Sequence, residues 1–202
     1  QDFTIAGIDS TAYSANFGLS VDMGADAGGL DALNFTTATV TLKGTGALAT
    51  SNIDAISITA AADIIAATGA VGISATAIST AGDVTTTSGA IGYTGAVTLS
   101  GNVATTSTLA GGNLSITGTL ALGANNFTAD QGLGNVNAFT GAVTGSGSLS
   151  LTGATVSVGT ITSAGAVSAT ATTGDLTFGV ITTSTSVNAK STAGDVIFGA
   201  AV

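Results

Sequence analysis

Along most of the chain, apolar residues stand two apart in short groups bounded by glycine, aspartate or asparagine. Phe3-Thr-Ile5, Phe17-Gly-Leu-Ser-Val21 and Phe35 through Leu42 show this early, and Val156-Ser-Val158 and Leu176-Thr-Phe178 show it late. A period of two sends alternate side chains to opposite faces of an extended backbone, so each group predicts a short strand with one buried face. Residues 51–70, with Ile53, Ile56 and Ile64, are the one stretch where a short helix competes. Strands at 56–58 and at 64–66 are the preferred reading there.

The groups recur. Val156-Ser-Val-Gly159 aligns with Leu176-Thr-Phe-Gly179 and with Val196-Ile-Phe-Gly199 at one constant step, and Gly174-Asp175 aligns with Gly194-Asp195 at the same step. Gly69-Ala-Val-Gly-Ile73 matches Gly89-Ala-Ile-Gly-Tyr93 in the same way, and later units slip slightly, as insertions at corners allow. A strand-rich unit of this size cannot bury its apolar face alone, so successive copies must stack. The expected fold is all-β, a parallel β-solenoid with rungs of about 20 residues; an antiparallel β-sandwich or jelly roll is the alternative. Roughly seven to ten rungs about 4.8 Å apart make a rod on the order of 35–50 Å long.

Glycine followed by Asp or Asn supplies the corners, since glycine accepts positive φ and the Asx side chain can accept a backbone N–H. Asp83, Asn102, Asn113, Asp175 and Asp195 are expected at equivalent corners, and Phe178 is expected over Phe198. Residues 1–50 fit the repeat poorly and read as an atypical N-terminal cap or docking region, with solenoid repeats over 51–202.

Composition narrows the function. The chain of 202 residues has 30 Gly, no Pro, no Cys, no His and no Trp, and charged residues make up 6% of it, against about a quarter in an average protein. All eleven acids are Asp, the two cations are Lys43 and Lys190, and the net charge is −9. Such a chain has no electrostatic means of gripping nucleic acid or an anionic membrane, and no apolar run reaches the roughly 20 residues of a membrane span. Without His, Cys, Glu or Arg, Ser-His-Asp triads, Cys-His pairs and His-built metal centres are excluded, and no enzyme activity is expected. No cofactor is expected beyond a weak calcium candidate.

That candidate is Asp22-Met-Gly-Ala-Asp26-Ala-Gly-Gly-Leu-Asp31, where three carboxylates among glycines suit an ion that takes six to eight oxygens. The spacing misses the helix-loop-helix pattern, and a solvated loop is the competing reading. Asn34, Asn113 and Asn126 each open an Asn-x-Ser/Thr triplet, a glycan acceptor in a suitable host or a chance match in a chain rich in these residues. Thr39/Thr41, Thr85/Thr87 and Thr170/Thr172 resemble the threonine ranks of ice-binding faces. The pairs themselves do not recur at the step of the repeat, which favours ordinary outward strand threonines.

The run Gly165-Ala-Val-Ser-Ala-Thr-Ala-Thr-Thr-Gly-Asp-Leu-Thr-Phe-Gly-Val-Ile-Thr-Thr resembles the repeats of filamentous-haemagglutinin-type surface adhesins of bacteria, a likeness covering about residues 69–202. The resemblance implies an exported right-handed β-helical shaft that displays or forms an adhesive fibre, although the secretion domain that opens those proteins is not recognisable in residues 1–68. Gln1 in first place suits a chain whose leader has been removed. The expected role is a structural subunit of an extracellular filament or surface fibre, whose partner is a further copy of itself. Assembly is expected through Phe3 and Ile5 at one end and Val196, Ile197 and Phe198 at the other. An adhesin shaft fragment, or a binding module showing a threonine-rich face, is the alternative.

Overall fold

The computed structural model describes residues 1–10, 16–24, 30–162, 164–182 and 184–199. Among these, the regular elements are all strands, and the strands pair in parallel. An isolated antiparallel bridge joins Phe17 to Lys43. The chain winds as a three-faced β-solenoid, and the antiparallel sandwich is thereby set aside.

Face one takes Asp2–Ile5, Ala32–Phe35, Ala55–Ile58, residues 77–80 and 96–99, Leu120–Gly123, Val143–Gly145, and then the single bridging residues Ile161 and Ile181. Face two is a nine-stranded sheet running from Ile8–Asp9 to Ser184–Ser191. Face three runs from Leu19–Asp22 through Leu48–Ser51 to Val196–Phe198. The stretch where a helix competed forms Ala55–Ile58 on face one and Ile64–Ala66 on face two. The strands Val71–Thr80 and Ile91–Leu99 turn the corner between faces three and one unbroken, which joins those faces into one 14-stranded sheet. Where they turn, the register slips between Thr94 and Ala96. Gly95 sits there at φ 132°, and a Cβ on it would lie 1.8 Å from the Ala75 carbonyl oxygen.

About seven regular turns of about 22 residues follow from Ala55. Residues 1–50 are the segment expected to be an atypical cap; the described strands from Asp2–Ile5 to Leu48–Ser51 supply two earlier passes to the same three faces, the first of them long: Ile8 pairs with Val40. Elsewhere a short step carries Leu149 onto Val167 and a long one carries Val103 onto Phe127. The variation falls in the corners, where added length costs little, so the strands stay stacked while rung length drifts.

Alternation in the sequence becomes columns in the fold. On face one, Phe3, Leu33, Ile56, Ile78, Val97, Leu120, Val143, Ile161 and Ile181 point inward in one unbroken apolar column. On face three, Leu19, Leu48, Val71, Ile91, Leu114, Val136, Val156, Leu176 and Val196 do the same. Interior members of both columns are buried, and each full burial of such a side chain contributes about 1.5–3 kcal/mol. Because a rung stacks like on like, branched aliphatics of similar size pack on one another along the axis.

The corners hold the rungs in register by two devices. Before the face-two strands, the Asp83 N–H donates to Asp63 Oδ1 at 2.9 Å, the Ala104 N–H to Asp83 Oδ1 at 2.7 Å, the Asn126 N–H to Asn102 Oδ1 at 2.9 Å and the Ser148 N–H to Asn126 Oδ1 at 2.9 Å. Before the face-three strands, the Asn135 N–H donates to Asn113 Oδ1 at 2.8 Å and the Asp195 N–H to Asp175 Oδ1 at 2.9 Å. All five expected corner residues take part in these rung-to-rung bonds. Beside the second set, Gly46, Gly69, Gly89, Gly112 and Gly134 stack so closely that a Cβ on Gly69 or Gly89 would meet the carbonyl of the glycine below at 1.8 or 1.9 Å.

Candidate functional site

The columns that are sealed inside the rod come to the surface at its two edges. At the N-terminal edge Phe3 is 50% exposed, and with Leu19, Val21 and Met23 it lines a shallow concavity over the open mouth of the first turn. Ile5, expected to take part in assembly there, is buried at 6% exposure and belongs to the core. At the C-terminal edge Val196, Ile197 and Phe198 are 39–43% exposed. Phe198 stacks on the buried Phe178 with ring centroids 5.4 Å apart, as expected from the constant step of the repeat. The strand edges at both ends present backbone N–H and C=O groups pointing along the axis, a template for another parallel strand.

The weak calcium candidate is divided between separate partners. Asp22 Oδ1 accepts the Gly24 N–H at 3.0 Å and the Asn52 side-chain amide at 2.8 Å, and these bonds, Asn52 foremost, hold its carboxyl below the ordinary aspartate range. Asp31 is buried, and its Oδ1 accepts the Gln1 ammonium at 2.8 Å. Asp26 lies outside the described residues. Among the described residues no group of three or more metal-ligating side chains converges.

Of the glycan-acceptor candidates, Asn113 and Asn126 stand in the corner ladders, where their Oδ1 atoms accept the Asn135 and Ser148 N–H groups. Asn34 sits half-buried on the outer side of face one, in register with Ser57.

The outer side of face two carries a pattern that the sequence spacing conceals. Asp9, Thr41, Ile65, Thr85, Thr106, Asp130, Thr152, Thr170 and Lys190 follow one another in register as a single outward column. Most of its members are threonine, which a constant step could not reveal because the rungs here differ in length. Thr128, Ser150 and Ser168 stand beside Asp130, Thr152 and Thr170 in the neighbouring column. Acidic and aliphatic members interrupt the hydroxyl rank at Asp130 and Ile65.

Tyr93 is one of several buried polar side chains. The Tyr93 hydroxyl lies wholly inside the rod with no hydrogen-bond partner among the described residues, and burial, reinforced by the Asp83 charge, drives its pKa well above the usual phenol range.

No known protein family, no curated protein and no solved structure matches this chain.

Proposed function

We propose that the protein is a structural subunit that stacks end to end into an extracellular filament or surface fibre. The observation that supports it most directly is that the two exposed edges are equivalent in register: the columns that end on Ile181, Val196 and Phe198 begin on Phe3, Leu19 and Val21. A further copy on either edge would continue both the hydrogen-bonded ladders and the apolar columns. The contact would join unlike surfaces, head to tail, and a contact of that kind that does not close into a ring propagates as a fibre. Covering half-exposed side chains such as Phe3 and Phe198 would add about 1 kcal/mol each, on top of the new ladder. Low charge and the likeness of residues 165–183 to bacterial surface-fibre repeats support an exported role. Negative-stain microscopy of the full chain beside a copy ending at Ala193 is the test. Fibres that vanish on truncation fit the proposal, and discrete particles from both chains refute it.

The outward threonines of face two favour a second reading, a binding module that lays a flat hydroxyl-bearing face on a regular surface such as ice. Single particles that produce thermal hysteresis, lost on changing Thr106 and Thr152 to Lys, would support it over the fibre. Single particles without hysteresis would remove ice as the surface.

A further inference from the structure

We infer that an ion pair between Lys190 of one copy and Asp9 of the next fixes the polarity and register of end-to-end stacking; this rests on the fibre reading above. The two residues are the last and first members of one outward column on face two, linked through every intervening rung by Cα register. Both are exposed. If a second copy continues the ladder by one rung, the ammonium of Lys190 stands directly over the carboxylate of Asp9, at the separation of neighbouring strands, about 4.8 Å between backbones. Opposite charges facing each other across a strand pair stabilise that pairing, and like charges oppose it.

The remaining charges at the edges are compatible with this placement. Where Val196 is in the column of Leu19, Asp195 falls over Gly18; where Ile181 is in the column of Phe3, Asp2 falls beside Val180. No carboxylate among the described edge residues meets another in this register. A shift of one residue would turn the apolar columns outward and separate the pair, while inverting one copy would bring two Lys190 or two Asp9 edges together. Composition sharpens the point, because Lys190 is one of two lysines in a chain of net charge −9. A strongly acidic subunit must overcome self-repulsion to assemble, and the cation stands where the next acid would come closest.

The experiment uses four samples of the full chain: unchanged, K190D, D9K, and K190D mixed with D9K in equal amounts, followed by light scattering and microscopy at low and high salt. Circular dichroism and thermal melts first establish that each variant is folded, as expected for exposed positions. Each single variant puts like charges at every junction and should raise the critical concentration about tenfold or more at low salt, with the difference shrinking at high salt. The mixture restores an opposite pair at every junction of an alternating fibre and should assemble like the unchanged chain. If the unchanged chain forms fibres and the single variants match it, or if the mixture fails with the singles, the ion pair is overturned while end-to-end stacking stands. If the unchanged chain forms no fibres, the stacking reading fails, and the ion pair with it.

Discussion

Phe178 and Phe198 lie nearly parallel, 14° apart in plane and 5.4 Å between ring centroids, the first fully buried and the second 42% exposed. One position of the repeat thus occurs twice, once with a rung above it and once without. Removing the two rings should therefore cost different amounts. Phe178→Ala leaves a cavity inside the rod and is expected to lower unfolding free energy by about 3–5 kcal/mol. Phe198→Ala removes a ring already half in water and should cost clearly less. Urea denaturation of the two variants under non-assembling conditions measures the difference, and equal losses would contradict the assignment of an edge.

The glycine stack gives a sharper contrast. An alanine at Gly89 places its Cβ 1.9 Å from the Gly69 carbonyl oxygen, backbone against backbone, so neither rung can yield without disturbing the ladder. A loss of about 2–4 kcal/mol is expected. Gly92 is in the strand just beyond, and a Cβ there meets nothing within 4 Å. Gly92→Ala should change stability by less than about 1 kcal/mol and can raise it. Thermal melts of the pair decide between a corner requirement and a general preference for glycine.

Corner carboxylates accept backbone N–H groups from the next rung. Asp83→Asn keeps an oxygen for the Ala104 N–H and removes one of two stacked acids, Asp63 and Asp83, so its melting curve should stay close to the unchanged protein. Asp83→Ala strands a half-buried N–H and should cost about 1–3 kcal/mol. If the two variants lose equal stability, the hydrogen bond is not what the residue contributes.

Tyr93 makes an alkaline prediction. Its raised pKa means that above about pH 10 the unfolded chain releases the phenol proton while the folded chain keeps it. Its contribution is complete below that value and is lost as pH rises through the folded pKa, so stability should fall with pH from about 10 upward. A Tyr13→Phe background leaves Tyr93 as the one phenol, and its phenolate absorbance should appear together with loss of β circular dichroism. Tyr93→Phe removes a buried hydroxyl that has no partner among the described residues and should leave stability unchanged or slightly raised.

At the acid end, Asp22 should titrate below the usual aspartate value because Asn52 and Gly24 donate to its ionised form. The sign is opposite to that of Tyr93: the interaction is present above the unfolded pKa of about 3.8 and is lost as pH falls through the lower folded value. Carboxyl NMR of the protein and of Asn52→Ala measures it, the variant moving the midpoint upward.

How much of this is legible in the chain depends on whether rung length is constant. Between Val156 and Gly199 every turn has the same length, so identity in sequence is identity in space, and the Val156–Leu176–Val196 column and the Phe178–Phe198 stack follow directly. On face two no two consecutive steps from Ile64 to Val167 agree in length, and the threonine column and its charged ends dissolve into an apparently unordered scatter. The long first pass hides the fact that the strands Asp2–Ile5, Ile8–Asp9 and Leu19–Asp22 lie on the same three faces as the repeats. Ile5 shows a related limit: alternation indicates that it and Phe3 both face inward, but not that Ile5 is buried while Phe3 is half exposed.

The parallel stacking has a mechanical corollary. Among the described residues each turn pairs its strands with the turns before and after it, so tension applied at one end bears first on a single rung. That rung can peel away while the rest of the rod stays wound, releasing about 20 residues, or on the order of 70 Å of contour. Pulled in an optical trap, the protein should lengthen in a train of small, similar steps. A tether built this way would dissipate a sudden load by yielding turn by turn, and rewind from the turn that remains.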